Sequence, residues 1–141
     1  MMRPLDGIRV IEIGRSEAAG VAGLLLSDFG AEVILIDPPG QCGDPCAASH
    51  EDSITFGVDM PAERLCDRGK KRVFLDIFDE SQKNLFLKLI KTADVLLIGT
   101  APRLLKEAGL DAETLSKLNP ELASVCAKRS ARCSPCADHC T

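Results

Sequence analysis

Apolar residues along this chain come in short bursts separated by helical or turn-forming stretches. The first burst, IRVIEI (Ile8–Ile13), is β-branched and bounded by Gly7 and Gly14, the pattern of a buried strand. EAAGVAGLLLSDFG follows with helical periodicity. Ala18, Ala22, Leu25, Leu26 and Phe29 fall on one side and predict the face that is buried. Gly30 stands where a chain leaving a helix needs a left-handed residue. EVILID (Glu32–Asp37) is a second strand, and strand, helix and strand with tight joints make a βαβ unit whose strands run parallel.

The pattern then breaks. Prolines and glycines punctuate PPGQCGDPCAASH as a loop, and Ser53–Cys66 reads as either irregular chain or a short helix that Pro61 starts or breaks. RVFLDI (Arg72–Ile77) is a third strand, reached through the basic turn RGKKR. Asp79 caps a helix with Gln82 three residues on, and Leu85, Phe86, Leu89, Ile90 and Ala93 form its apolar face. DVLLIG is a fourth strand. Pro102 opens a short helix ending at Gly109, Asp111 caps another ending at Asn119-Pro120, and LASVC (Leu122–Cys126) has the length of a fifth strand. The fold class expected is α/β: a Rossmann-like parallel sheet with flanking helices over residues 1–125, followed by a disordered Cys-rich tail over 126–141.

Composition narrows the partners. With 141 residues the chain is sized for one domain, and a net charge of −4 disfavours a phosphate-backbone partner. Aromatic content of 4%, with no Trp or Tyr, disfavours extended base-stacking platforms, so no nucleic-acid role is expected. MMRPLDGIRV contains no long apolar stretch, so neither a signal peptide nor a membrane association is expected. A cytoplasmic, reducing setting follows, in which seven cysteines serve as thiols or metal ligands rather than disulfides.

Two segments invite an anionic ligand. After the first strand, GRSEAAG with Asp37 at the end of the second strand suggests a dinucleotide. The spacing of Gly14 and Gly20 is wrong for G-x-G-x-x-G, and Glu17 brings negative charge to the helix N-terminus, so NAD is disfavoured. RGKKR gathers four cations around Gly69, which suits a phosphate group; a solvated basic turn is the alternative.

PLDGIRVIEIGR, SDFGAEVILIDPPG with Gly43-Asp44-Pro45, DRGKKRVFLDI, TADVLLIG and GLDAETLSKLNPEL resemble, in order and spacing, the N-terminal part of class III coenzyme A transferases, a family that includes formyl-CoA transferase, carnitine CoA-transferase and α-methylacyl-CoA racemase. The resemblance runs from Pro4 to Leu122 and implies a truncated relative, because such proteins are much longer, look like interlocked homodimers and bind CoA through this region. Carried over position by position, it implies CoA contacts at Ser16 and Glu17, at Lys70 and Lys71, at Leu75, Asp76 and Ile77, and at Gly99 and Thr100. Departures are visible: Asp67 replaces an Asn, and Phe78 stands where a Lys is common. Ile98-Gly99-Thr100-Ala101-Pro102-Arg103 replaces Glu-Asn-Phe-x-Pro-Gly, and the arginine after Gly-Asp-Pro is missing.

The resemblance further implies an aspartate nucleophile that takes the acyl group as a mixed anhydride and CoA as a thioester. That aspartate, and the proton-transfer residues of the racemase branch, lie downstream of everything matched here. No catalytic residue is therefore assigned, and the chain alone is expected to bind acyl-CoA or CoA without transferring it. CAKRSARCSPCADHC raises a second possibility, a non-enzymatic α/β domain whose tail holds zinc or a partner through Cys133-x-x-Cys136, with Cys126, His139 and Cys140 nearby. Adjacent ligands close a tetrahedron poorly, and the tail has no apolar periodicity, so no metal is expected there or at Cys42, Cys46 and His50.

Overall fold

Successive residues of a strand point to opposite faces of its sheet, and here each face finds its own cover. The computed structural model describes residues 2–14, 16–39 and 65–127. Within them β1 (Arg9–Ile13), β2 (Glu32–Asp37), β3 (Lys71–Phe74), β4 (Val95–Ile98) and β5 (Ala123–Cys126) form one sheet in the order β3-β2-β1-β4-β5. Every neighbouring pair is parallel. On one face Ile11, Ile13, Ile34, Ile36 and Leu96 pack with Phe86 and Ile90 of α2 (Glu80–Lys91), Leu105 of α3 (Pro102–Glu107) and Leu115 of α4 (Ala112–Leu118). On the other, Val10, Val33 and Leu97 meet Ala22 and Leu26 of α1 (Glu17–Asp28). Cover on both sides is why IRVIEI, EVILID and VLLI read as nearly continuous apolar runs. The edge strand β5 is exposed at all four residues, which is why LASVC carries so weak a signal. It runs to Cys126, and the Ala127 N–H still donates to the Ile98 carbonyl, so sheet structure continues past residue 125.

Turn chemistry matches the sequence at several joints. Gly30 has φ +110°, and the N–H groups of Gly30 and Ala31 close the end of α1 on the Ser27 and Leu26 carbonyls. Asp79 caps α2 by accepting from the Ser81 and Gln82 N–H groups. Gln82 does not close the reciprocal half of that cap. Its side-chain oxygen accepts from the Asp76 N–H at 2.9 Å, tying α2 to the segment that leaves β3. With Asp76 and Asp79 both drawing the backbone into turns, β3 ends at Phe74 rather than at Ile77. Asp79→Ala should remove the side-chain N-cap of α2 and lower the urea midpoint with unchanged slope.

One helix face is turned relative to its pattern. The buried residues of α1 are Ala19, Gly20, Gly23 and Ser27, whereas Ala18, Leu25 and Phe29 face outward and Ala22 and Leu26 are half-buried. Hydrophobicity pointed to the large side chains, but the space between α1 and the sheet is already occupied by a charged pair.

Candidate functional site

The strand order reverses between β1 and β4. From there the chain turns into α1 on one face of the sheet and α3 on the other, which opens a crevice beyond the carboxyl ends of the strands, the usual ligand position in open parallel sheets. A cleft of about 440 Å³ lies there, floored by Ile13, Gly14, Leu75, Gly99 and Thr100. Close approach of the two loops depends on glycine. Gly14 has φ +80°, and a Cβ on it would lie 2.7 Å from the Thr100 backbone nitrogen; a Cβ on Gly99 would lie 3.0 Å from both the Gly14 carbonyl and the Ser16 nitrogen. Ser16 caps α1, its Oγ accepting from the Ala19 N–H at 3.1 Å, and Glu17 is in the first turn, where a carboxylate complements the helix dipole.

The cleft's outer wall is the segment after β3. The Leu75 N–H donates to the Asp37 carbonyl at 2.8 Å, extending the sheet by one bond. Asp76 then folds the chain back: its Oδ1 accepts from the Phe78 N–H at 2.9 Å, and its carbonyl accepts from the Asp79 N–H. Leu75, Asp76, Ile77 and Phe78 all line the cleft in consequence.

The basic turn behaves differently, because its cations are matched by carboxylates within the fold. Arg68 pairs with Asp28, Lys71 with Glu32, and Arg72 with Asp37 and Asp67. Lys70 is buried: its side chain is 1% exposed, its Nζ is 2.6 Å from Glu12 Oε2, and it also donates to the Gly20 carbonyl at 2.9 Å. Burial holds the Glu12 carboxyl above its ordinary range even though the Lys70 ammonium draws it down. Asp37, the acid that would meet a ribose in a dinucleotide site, is fully buried and held by Arg72 at 2.6 Å. A carboxylate so buried is closed to a ribose hydroxyl.

The positions matched to CoA contacts therefore divide by place. Leu75, Asp76, Ile77, Gly99 and Thr100 converge on one cleft; Ser16 and Glu17 begin the helix beside it; Lys70 and Lys71 lie at the start of β3, away from the cleft. Ile13, Gly14 and Leu104 also line the cleft and were missed. The signal that could have found Ile13 and Gly14 was the expected Rossmann-like parallel sheet, whose ligands sit beyond the carboxyl ends of the strands. Cys66 and Cys126 are free thiols. Among the described residues no group of three or more His, Cys, Asp or Glu side chains could hold a metal ion, and no helix is long and apolar enough to cross a membrane. The cysteines and histidines at 42–50 and 133–140 lie outside the described residues.

The sequence profile of CoA-transferase family III matches residues 5–130. The chain belongs to CoA-transferase family III. It is 38% identical over 122 residues to the "Probable fatty acyl-CoA transferase Rv3272" of Mycobacterium tuberculosis, covering 85% of this chain and 30% of that protein. It is 32% identical over 123 residues to acetyl-CoA:oxalate CoA-transferase of Acetobacter aceti, covering 84% of this chain and 30% of the relative. A CAIB/BAIF family protein from Brucella suis superposes with a TM-score of 0.73 at 32% identity, over 89% of this family III chain and 33% of the other. The chain thus spans about 30% of the length of the curated relatives it matches.

Proposed function

We propose that this family III chain binds CoA, or the CoA part of an acyl-CoA, in the cleft between the ends of β1 and β4, and does not by itself transfer it. One observation carries the reading. The positions carried over from the family resemblance after β3 and after β4, distant in sequence, line a single crevice. Its shape and its largely apolar lining suit a ligand of mixed character, with a few polar groups to orient it. The names of the relatives, which pair CoA thioesters with acids, give the substrate class in which to look.

The expected lack of transfer is supported by the carboxylates among the described residues. Asp76 is the one carboxylate lining the cleft among the described residues, and its Oδ1 is engaged by the Phe78 N–H. A carboxylate held in a turn through one oxygen is restrained in orientation, whereas attack on a thioester carbonyl requires an oxygen aimed at near-attack distance. Calorimetric titration of the 141-residue chain with CoA should show saturable binding at one site, and incubation with acyl-CoA and a free acid should show no exchange. Thr100→Glu, which sets a negative charge in the cleft, should weaken CoA about tenfold or more, as expected for a like charge near phosphates in a partly desolvated site. Lys71→Ala should leave binding within about twofold, since an exposed cation already paired with Glu32 adds little. The reverse result, with Lys71→Ala abolishing binding and Thr100→Glu harmless, would move the site to the basic turn.

A further inference from the structure

We propose that the groove between α2 and α4 binds an amphiphilic monocarboxylate, its carboxylate held by Lys88 and Lys91 and its short alkyl chain laid on Leu87 and Leu118. The groove has a volume of about 360 Å³ and is lined by Asn84, Leu87, Lys88, Lys91 and Leu118. It shares no residue with the cleft beyond β1 and β4, so it stands or falls apart from CoA binding. Charge marks the end for the head group. Among the described residues every Lys and Arg has a carboxylate partner except Lys88, Lys91 and Lys106, and two of those three meet in this groove. No Asp or Glu lines it among the described residues.

Lysines in the last turn of a helix are ordinary, because they offset its dipole and can bond its last carbonyls. Here those carbonyls are already taken. Thr92 Oγ1 donates to the Leu89 carbonyl at 3.0 Å, and Asn119 Nδ2 donates to the Ile90 and Ala93 carbonyls at 3.0 and 2.8 Å. The two ammonium groups, one helical turn apart on one side of α2, are left to repel each other, and a carboxylate between them would relieve that repulsion. The same Asn119 bonds pin the end of α4 to the end of α2 and fix the groove between them. Its apolar part is Leu87 and Leu118, half-buried and packed against the core cluster. A space equal to roughly a dozen waters suits one short alkyl chain better than a folded segment.

The test titrates the isotope-labelled full chain with octanoate, with acetate as the head group alone and with octanol as the tail alone, and follows amide shifts by NMR. Octanoate should bind saturably, moving the amides of α2 and α4 and leaving those of Gly14, Gly99 and Thr100 in place. Acetate and octanol should each bind about tenfold or more weaker, since each lacks one half of the contact. Lys88→Gln combined with Lys91→Gln should weaken octanoate about tenfold or more and remove its preference over octanol. Asn84→Glu, which sets a carboxylate one turn from Lys88, should weaken octanoate in the same direction. All three positions are exposed, so unchanged thermal midpoints are expected to show that the fold survives. Absence of saturable shifts, shifts confined to the other cleft, or equal octanoate affinity in the double variant would each overturn the site. So would acetate or octanol binding as tightly as octanoate, which would reduce the contact to plain ion pairing or plain adsorption.

Discussion

Lys70→Met should destabilise the fold by about 3–5 kcal/mol, the usual result of leaving one member of a buried ion pair uncompensated. The Glu12 carboxylate, 3% exposed, would then sit between α1 and the sheet facing methylene groups. Replacing both partners, Glu12→Met with Lys70→Met, should recover most of that loss, because a well-packed apolar pair of similar volume avoids the desolvation cost of two charges. Urea unfolding of the single and double variants checks the contrast. Equal destabilisation by both would mean that the pair acts through shape and not charge. The direction of the Glu12 shift adds a pH signature. A carboxyl whose folded pKa is raised contributes stability that is fully present below its ordinary value and lost as pH rises through the raised one. The stability of the unsubstituted chain relative to the double variant should therefore fall as pH rises above the ordinary carboxylate range. Glu32, Asp79 and Asp111, whose carboxyls are held below their ordinary range by hydrogen bonds, favour folding as pH rises in both proteins and cancel in the difference. A flat difference would remove Glu12 as its source.

Gly14→Ala should damage folding and binding together. At φ +80° an L side chain is strained by roughly 1–2 kcal/mol, and the new methyl would press on the Thr100 backbone, which cannot rotate away as a side chain can. Total destabilisation of about 2–4 kcal/mol is expected from strain and overpacking combined. The surviving folded fraction should bind CoA at least about tenfold more weakly, since displacement of the loop after β4 reshapes the cleft floor, and small misplacements at a site are costly. Thermal unfolding and calorimetry on the same sample separate the two effects. Unchanged CoA affinity in a destabilised variant would place the ligand elsewhere.

Much of this fold is legible in local chemistry. Apolar runs of strand length, the glycine after α1, the aspartate before α2 and the proline opening α3 each act within a few residues, so strand and helix positions follow from the chain alone. Part of the cleft was legible as well, at Leu75–Ile77 and Gly99–Thr100, but as two separate motifs; that they share one crevice depends on which strands are neighbours. Lys70 and Lys71 are candidate residues that do not line the cleft. Clustered cations look the same along the chain whether they face a ligand or a set of carboxylates far away in sequence.

What the sequence determined by itself was the α/β class, the parallel sheet and the family motifs, because hydrophobic period, capping and turn residues are short-range signals. Only the tertiary structure decided what α1 buries. Its large residues Val21, Leu25 and Phe29 stay exposed while Ala19, Gly20, Gly23 and Ser27 face inward. The reason includes a residue far along the chain: Lys70, 58 residues from Glu12, reaches under the helix to it, and a Cβ on Gly23 would land on that carboxylate. Hydrophobic periodicity ranks faces by transfer free energy, and it cannot register a buried ion pair assembled from β1 and the turn before β3. Small residues are the ones that leave it room.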